Sequence, residues 1–550
     1  MAAPIDDKKR LGVYYTPDSI TELLSGWAIR TSHDWVLEPS FGKCGFLRAA
    51  IEQLEALGSE YPSAQIYGFD VDDNAFLGPF QELVSQNGAR DNFQKKDFLD
   101  VVPTDLNGVD FDVIIGNPPY VSHHNMGSEQ RMSAQEALQD SEFSLDKKAS
   151  LWAYFVLHAL QFLAKEGRMA WVLPGSLFHS DYSQGLIKAV TSNFERAVAL
   201  QLGERVFQDE GAEEHTIILL AEGWKTGEIA ETLEVGYVAT LEDLLSRVHE
   251  LRYGNWSGKP YDSRIGYVLM ETHVADAMQK VQDRCRVVRV GDKANVKIGM
   301  VTGDNRFFVI TPSVAKEHDL QAGDWRYIFA KSKITDGIAL TEEDFRKAER
   351  KDQRCLLVTA QGGMSSQLES YFIRKPEEEI RSNVTFGKRD DWKKPDDDEI
   401  PDAFFTYMQS LGPRLILNEA RVNSTNTIHR VQFEDEVSET EQKALAVSLM
   451  STYSRLSAEL EGRTYGAGIL KLEIGETSRT RAILPENVSA ERVDDVFRQV
   501  DKCLRNGQVD EAEEVANRFV FGHLAQPDIV EVVRTLKSGL KRARTRRKGE

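Results

Sequence analysis

Short apolar runs alternate with helical patterns through the first 220 or so residues of the chain. The runs are WVLEP (35–39), AQIYGFDVD (64–72), FDVIIGNPPY (111–120), RMAWVLPG (168–175), AVALQL (197–202) and HTIILLA (215–221). Nearly continuous apolar runs are typical of strands that are buried on both faces. Strands separated by helices indicate a parallel sheet with helices on both sides. The sequence therefore predicts an open α/β domain in this part of the chain.

The chain is too long for one hydrophobic core, because 550 residues exceed the usual limit of a single domain. We predict the α/β domain over residues 1–250 and a turn-rich linker over 251–289. Short apolar runs such as RFFVITP (306–312) predict strands, and loops rich in Gly, Asp and Asn separate them. We therefore expect an α+β domain over 290–486, and a charged helical pattern covers 487–550. The basic tail of this last segment fits either a solvated end or a segment that follows phosphates.

Composition excludes several classes of protein. No segment of about 18 residues is free of charge, and no apolar stretch follows the first basic residues, so we expect a cytoplasmic protein without a membrane partner. The cysteines form no CxxC pair, which argues against a disulfide framework and a zinc site; they are Cys44, Cys285, Cys355 and Cys503. We therefore expect no bound metal. The net charge of -20 argues against non-specific coating by nucleic acid but allows a local basic surface.

Polar residues follow the first predicted strands at the edge where open α/β sheets bind ligands. The segment VLEPSFGKCGFLRAA at 36–50 is a strand, a glycine turn and a helix start, which lets backbone approach a nucleoside closely. Asp70 ends the next strand, where a carboxylate can accept hydrogen bonds from both ribose hydroxyls. Asp97 can accept from an adenine amino group, and the neighbouring Phe98 offers a ring to stack on it. Capping of turns or helices is the alternative role for both aspartates.

The motif Asn117-Pro118-Pro119-Tyr120 directly follows the apolar strand DVIIG. An amine conjugated to a heteroaromatic ring is a poor nucleophile, because its lone pair is delocalised. Two acceptors aimed at its hydrogens favour a pyramidal amine whose lone pair faces a methyl donor. The Asn117 side chain and the rigidly held Pro118 carbonyl can supply these acceptors, and the Tyr120 ring can stack on an extruded base. A Pro-Pro turn that merely ends a buried strand is the plain alternative.

These motifs resemble the gamma-class amino-methyltransferases of restriction-modification systems, the family of the Taq I and Eco57I-type N6-adenine DNA methyltransferases. The resemblance covers nearly the whole chain. It implies a Rossmann-like class I S-adenosylmethionine-dependent methyltransferase domain, then a mixed α+β target recognition domain and a helical C-terminal segment. It implies S-adenosylmethionine as the cofactor and double-stranded DNA as the partner.

Residue roles follow from the same resemblance. The family's T-P element, which binds the methionine end of the cofactor, is similar to Tyr15-Thr16-Pro17 here. The implied cofactor contacts are Thr16, Glu38, Ser40, Asp70, Val71, Asp97, Phe98 and Asn117. Glu38 and Ser40 would hold the methionine moiety, Asp70 the ribose and Asp97 the adenine amine, with Val71 and Phe98 packing on adenine. Asn117, Pro118 and Tyr120 match the family's catalytic clamp on the target amine.

Two further elements resemble the Eco57I-like subgroup and belong by that likeness to the domain that reads the target sequence. They are VTGDNRFF at 301–308 and the segment from Tyr465 to Leu472. Candidate DNA contacts are Pro119, Thr302, Asn305, Arg306, Asn423 and Asn426. We expect the region from about 290 to 490 to determine sequence specificity.

The chain departs from the family at two points. Cys44 stands at the second glycine of the family's G-x-G turn, with Gly45 one place later. The strand that carries a second base-stacking aromatic residue in some relatives reads TIILLAEG here, which leaves Phe207 and Phe178 as candidates.

Other amine substrates remain open, because the same clamp serves N4-cytosine methylation of DNA and methylation of protein glutamine or ribosomal RNA guanine. The long region after the first domain favours adenine in DNA. A cofactor-binding scaffold without activity would be expected to lose clamp residues, which are intact. The chain has no convincing nuclease cluster, so cleavage would need a separately encoded restriction endonuclease. We expect a monomer.

Overall fold

The computed structural model of the protein describes residues 16–87, 90–106, 108–139, 141–203, 215–261, 264–465, 468–522 and 526–548. These residues form two units. The first contains the chain up to Leu269 with residues 464–465 and 546–548, and the second contains Met270–Arg463 and Gly468–Thr545. The division falls inside the segment 251–289, which the sequence predicts to be a linker.

The described strands of the first unit form one nine-stranded sheet. They are β1 (Val36–Glu38), β2 (Ile66–Asp70), β3 (Phe93–Lys95), β4 (Phe111–Gly116), β5 (Leu163–Pro174), β6 (Phe194–Leu202), β7 (Thr216–Trp224), β8 (Glu234–Val238) and β9 (Lys259–Pro260). Their order is β3-β2-β1-β4-β5-β7-β6-β8-β9, and all neighbours from β3 to β5 are parallel. The carboxyl ends of these strands therefore meet at one edge. The order reverses between β1 and β4, which creates the crevice where open α/β sheets bind ligands.

The prediction of a purely parallel sheet is wrong for the later strands. β7 lies between β5 and β6 and is antiparallel to both. Antiparallel neighbours need no crossover helix, whereas parallel neighbours do. An apolar run has the same appearance in either direction, so the sequence pattern of β7 could not reveal this reversal.

Helices cover both faces of the sheet. They are α1 (Asp18–Ala28), α2 (Gly45–Ala56), α3 (Pro79–Asn87), α4 (Ser128–Glu136), α5 (Leu151–Ala159), α6 (Ser183–Thr191), α7 (Leu241–Arg252) and α8 (Ile265–Val268). Buried residues of α1, α2 and α7 form one core with Val113, and those of α5 and α6 form the other with Ile114. Adjacent residues of β4 thus enter opposite cores, which explains why its sequence is almost continuously apolar.

The remaining described strands are short and form four small sheets, and they belong to the second unit except for residues 464–465 of β21. They are β10 (Val287–Arg289), β11 (Ala294–Ile298), β12 (Val309–Ile310), β13 (Trp325–Phe329), β14 (Ala339–Leu340), β15 (Leu356–Val358), β16 (Ala403–Phe405), β17 (Met408–Gln409), β18 (Leu415–Asn418), β19 (Asn423–Ser424), β20 (His429–Phe433), β21 (Arg463–Tyr465), β22 (Ile469–Lys471) and β23 (Arg481–Ile483). The sheets have the orders β10-β23, β11-β20-β16-β18-β14, β12-β15-β13-β19 and β17-β22-β21.

Helices complete this unit. They are α9 (Thr272–Arg284), α10 (Asn305–Phe308), α11 (Pro312–Glu317), α12 (Glu342–Arg350), α13 (Ser366–Ile373), α14 (Glu377–Ser382), α15 (Glu439–Ser448), α16 (Thr452–Glu461), α17 (Ile474–Arg479), α18 (Ala490–Arg505), α19 (Val509–Phe521) and α20 (Gln526–Lys548). The last three occupy the segment 487–550, for which the sequence predicts helix. Among the described residues, no helix combines the length and apolar character needed to cross a membrane.

One predicted strand of the second unit is largely a helical turn. The pattern RFFVITP suggests a strand, but only Val309–Ile310 is extended, and the residues before it form α10. The Asp304 carboxylate accepts the backbone N–H groups of Arg306 and Phe307 at 2.9 and 3.1 Å. This N-cap starts the helical turn and overrides the β propensity of the aromatic residues.

Candidate functional site

A cavity of about 1100 Å³ in the first unit is lined by residues at the carboxyl ends of the parallel strands. Glu38 ends β1 and Asp70 ends β2, while Asp97 follows β3 and Asn117 follows β4. All four residues line this cavity. The sheet order therefore brings together side chains that are far apart in the sequence.

The loop between β1 and α2 keeps a left-handed backbone although one family glycine is replaced. Gly42 has φ 49° and Cys44 has φ 64°, a region that a β-carbon makes unfavourable. The Cys44 side chain is buried, and burial raises the pKa of its thiol to about 12. Cys44 is therefore a protonated packing residue in the turn, and α2 starts at the following Gly45.

The Asp70 carboxylate binds two backbone groups. Its Oδ2 accepts the Gly42 N–H and its Oδ1 accepts the Asp72 N–H, both at 2.8 Å. Burial raises the pKa of Asp70, and these two hydrogen bonds oppose the rise. Asp70 thus ties the glycine loop to the end of β2. A carboxylate has about four acceptor positions, so both oxygens can still accept a further hydrogen bond.

Glu38 supplies a buried acceptor that suits a cationic group. Its side chain is 2% exposed, and its Oε2 has no hydrogen-bond partner within the described part of the chain. Burial and the nearby charge of Asp70 raise the pKa of Glu38 well above its usual range. A buried carboxylate oxygen without a partner is costly. An ammonium group such as that of S-adenosylmethionine would satisfy it, so the residues present fit this cofactor.

Apolar side chains provide a wall for a heteroaromatic ring. Val71 is 57% exposed and Leu77 is 53% exposed, and both line the cavity. Thr16 and Ser40, which the sequence assigns to the cofactor, line it as well, whereas Tyr15 lies outside the described residues. Further lining residues that the sequence analysis missed are Leu77, Pro79, Val121, Asn125, Gln130, Leu151 and Phe155. Asn125 and Gln130 follow the Asn-Pro-Pro-Tyr motif closely, and that proximity is the only sequence signal for them.

The Phe98 ring, which the sequence predicts to stack on adenine, is largely enclosed by other rings. Phe98 borders the cavity but is 1% exposed, because its ring packs among Phe69, Phe155, His158 and Phe162. Its stacking on adenine stays a prediction. The neighbouring Asp97 is less buried, and its Oδ1 accepts the Leu99 N–H at 3.0 Å. Burial raises the pKa of Asp97, and this hydrogen bond opposes the rise.

The clamp motif forms a turn after β4. Asn117 and Pro119 line the cavity, and the Val121 N–H donates to the Pro119 carbonyl at 3.0 Å. Pro118 is buried. The half-buried Tyr120 packs against the core, and its hydroxyl donates to the Val172 carbonyl on β5 at 3.1 Å.

The candidates for a second stacking ring do not line the cavity in the described part of the chain. Phe178 is buried and packs against Tyr261, with ring centroids 5.3 Å apart. Phe207 lies outside the described residues.

Two candidate DNA contacts in the second unit, Thr302 and Asn423, are buried, and their contact with DNA stays a prediction. Thr302 is 1% exposed and donates its hydroxyl to Asn305 Oδ1 at 2.8 Å. Asn305 Nδ2 donates to Asn426 Oδ1 at 3.1 Å, so these three residues form one hydrogen-bonded chain. Asn423 is buried, and its Nδ2 donates to Asp396 and Asp397 at 2.8 Å each. Of the candidates in this unit, Arg306 is exposed, and Asn305 and Asn426 are partly exposed.

The acidic stretch 395–399 is a loop in which Asp397, Asp398 and Glu399 are exposed, and it also pairs with arginines. The buried Arg430 forms ion pairs with Asp397 and Glu399 at 2.8 Å each. Arg326 pairs with Asp396 at 3.2 Å and also with Asp398. The stretch therefore neutralises arginines of neighbouring strands.

Comparison with known proteins divides the chain into two parts that correspond approximately to the two units. Residues 3–232 match the family described as N-6 DNA Methylase, and residues 263–521 match the C-terminal domain of the Type II methyltransferase M.Eco57I. The Type II methyltransferase M.AccI of Acinetobacter calcoaceticus is 24% identical over 86% of this chain and 86% of its own length. M.XamI of Xanthomonas campestris pv. amaranthicola is 23% identical over 88% of this chain and 86% of its own length.

A solved structure shares the fold over almost the whole chain. The Type IIL restriction-modification enzyme MmeI, solved in complex with DNA, aligns with 98% of this chain and 75% of its own at a TM-score of 0.52 and 11% identity. The two family matches together account for both units. The chain therefore belongs to the Eco57I-like family of restriction-modification DNA methyltransferases, in which an N-6 DNA methylase domain that uses S-adenosylmethionine precedes a C-terminal domain of the M.Eco57I type.

Proposed function

We propose that this protein methylates the N6 amine of adenine in double-stranded DNA. The observation that carries the proposal is the position of Asn117, which follows β4 and lines the same cavity as Glu38, Asp70 and Asp97. A residue suited to hold an aromatic amine thus borders the cavity whose carboxylates suit the cofactor. The family supports this substrate class, since its first domain is an N-6 DNA methylase.

Bound S-adenosylmethionine supplies an electrophilic methyl group on a sulfonium. The task of the protein is to make the amine nucleophilic. Asn117 Oδ1 and the Pro118 carbonyl accept the two amine hydrogens, which favours a pyramidal nitrogen. The Pro118 carbonyl is suited to this role, because it accepts no hydrogen bond in the described part of the chain. Both acceptors act most strongly on the transition state, where the nitrogen becomes positive.

The remaining cavity residues each bind one part of the cofactor. Glu38, with Thr16 and Ser40, binds the methionine part, and Asp70 accepts from the ribose hydroxyls. Asp97 accepts from the adenine amino group, and Val71 packs on the ring. Val71 and Leu77 are exposed and line the cavity, and together with Phe98 they provide its apolar contacts.

DNA is the proposed partner, and the target adenine leaves the helix to reach the clamp. Extrusion is needed because the N6 amine of a paired adenine lies inside the duplex. Tyr120 is the proposed stacking ring, Pro119 contacts the base, and the second unit reads the sequence. MmeI, whose fold this chain shares, was solved in complex with DNA, which supports this partner. Cleavage is left to a separately encoded restriction endonuclease.

Mapping of modified bases at single-base resolution tests the function. DNA from cells that express the protein should carry N6-methyladenine at one sequence, and DNA from cells with the Asn117→Ala variant should not. N4-methylcytosine at the mapped positions would show that the substrate is cytosine and not adenine. Unmodified DNA from cells that contain folded protein would contradict DNA methylation altogether.

Cofactor affinity should rise with pH because of Glu38. The free protein holds this carboxyl with a raised pKa, and an ammonium ligand favours its ionised form. Binding should therefore release a proton, and affinity should increase as pH climbs above the usual glutamate range near about 4.3. Glu38→Gln should flatten this dependence and weaken binding at high pH about 10-fold to 150-fold, the equivalent of a charged hydrogen bond of about 1.5 to 3 kcal/mol.

Calorimetry with S-adenosylmethionine across a pH series measures this effect. The difference between the wild type and Glu38→Gln isolates Glu38 from Asp70 and Asp97, whose pKa values are raised as well. Parallel pH profiles for the two proteins would show that Glu38 does not bind the ammonium group.

A further inference from the structure

A second pocket, of about 310 Å³, lies in the second unit and carries concentrated positive charge. Arg306, Arg354, Arg374 and His318 line it, together with Tyr371 and one carboxylate, Glu317. Within the described part of the chain, none of the three arginines forms an ion pair with a carboxylate. Three neighbouring guanidinium groups without carboxylate partners are unusual in a protein with a net charge of -20.

The backbone brings the three arginines together from separate elements. Arg306 belongs to α10, Arg354 lies just before β15, and Arg374 caps the carboxyl end of α13. The Arg354 Nη1 donates to the Arg306 carbonyl at 3.3 Å. The Tyr371 hydroxyl donates to the Phe307 carbonyl at 2.7 Å, which joins α13 to α10. These contacts fix the elements that carry the arginines.

Tyr371 forms the centre of the cluster. The Arg374 guanidinium carbon lies 5.6 Å from the centre of the Tyr371 ring, and the His318 ring lies 5.2 Å from it. Arg374 also contacts the His318 Nε2. Burial raises the pKa of Tyr371, and the positive charges of Arg374 and Arg354 oppose that rise. The Arg374 guanidinium thus lies against this ring, while all three arginines stay exposed.

We propose that this arginine pocket binds a phosphodiester group of the DNA backbone, an inference that rests on the proposed function. Guanidinium groups match phosphate geometry and cannot lose their charge. A cluster of cations without carboxylate partners repels itself, and a bound phosphate would relieve that repulsion. Arg306 then contributes to positioning on DNA and not to reading of a base.

Salt dependence of DNA binding by the full chain tests the proposal. The probe is a fluorescein-labelled duplex, used once with the mapped target sequence and once with a mixed sequence. The double variant Arg306→Gln/Arg374→Gln should lose one phosphate contact. The slope of the logarithm of the DNA association constant against the logarithm of the salt concentration should then fall by about 0.9 in magnitude. At about 0.1 M salt this change in slope corresponds to about eightfold weaker DNA binding, and the loss should be equal on both duplexes.

Matched variants separate charge at the pocket from charge elsewhere. Arg350→Gln removes one exposed arginine of the same unit that does not line the pocket, and it should keep the wild-type slope. The double variant Arg306→Lys/Arg374→Lys keeps the charge and should retain most of the slope. Retention of the slope would show that the fold tolerates substitution at both positions, so that a loss in the Gln variant comes from the lost charge and not from a folding defect. The affinity for S-adenosylmethionine should be unchanged in all variants.

Four results would overturn the proposal. An unchanged slope in the Gln double variant would mean that the pocket does not contact the backbone, while the proposed function would stand. A loss confined to the target duplex would make the arginines base readers. Calorimetric binding of inorganic phosphate that depends on these arginines, with an unchanged DNA slope, would make the pocket a site for a free phosphate. Absence of duplex binding by the wild type would remove the proposed function together with this site.

Discussion

Asn117→Ala is expected to lower the single-turnover rate of methyl transfer by about 10²-fold to 10³-fold, the usual effect of removing one preorganised transition-state partner. Asn117 lies directly after β4, lines the cavity and is partly exposed. Cofactor affinity should remain almost unchanged, because the carboxylates of the cavity are intact. Rapid-quench transfer of labelled methyl groups measures the rate, and calorimetry measures the affinity.

Two variants control this experiment. Asn117→Asp keeps an oxygen acceptor at the same place and should lose less activity than Asn117→Ala. Asn125→Ala removes another asparagine that lines the same cavity and should keep most of the rate. Wild-type activity in Asn117→Ala, or an equal loss in Asn125→Ala, would leave no reason to assign the amine clamp to Asn117.

In the first unit, the sequence predicts which residues line the cavity where their position depends on the end of a strand. Glu38, Asp70 and Asn117 lie at the ends of apolar runs, and parallel strands carry such positions to one edge. Local pattern and topology agree here, so the residues that line the cavity can be anticipated. The direction of β7 could not be anticipated, because strand pairing depends on the path of the chain and not on the run itself.

Side-chain environment is where prediction from sequence fails. The sequence places Phe98 beside Asp97, but it does not show the three aromatic rings and the histidine that enclose it. Asn423 is a candidate DNA contact by its sequence, but its side-chain amide donates hydrogen bonds to Asp396 and Asp397. The sequence does not reveal either environment, because the groups that surround Phe98 and Asn423 come from other parts of the chain.

Tyr120→Ala is expected to weaken stabilisation of the extruded adenine about 5-fold to 150-fold, since stacking on an aromatic ring contributes about 1 to 3 kcal/mol. Tyr120→Phe keeps the ring and should keep most of the rate. It removes the hydrogen bond from the Tyr120 hydroxyl to the Val172 carbonyl. Its free energy of unfolding should therefore fall by about 0.5 to 1.5 kcal/mol. The two substitutions thus separate the ring's contact with the base from the hydroxyl's anchoring on β5.

Single-turnover rates on paired and mispaired duplexes test the assignment of Tyr120. The defect of Tyr120→Ala should shrink when the target adenine is mispaired, because a weakened pair costs less to open. Tyr61→Ala, which removes an exposed tyrosine of the same unit, should behave like the wild type on both duplexes. The defect of Asn117→Ala should stay the same on both duplexes, since the clamp acts on the amine after extrusion. If Tyr120→Ala showed that constant defect as well, Tyr120 would act in the chemical step, and the stacking role would have to be abandoned.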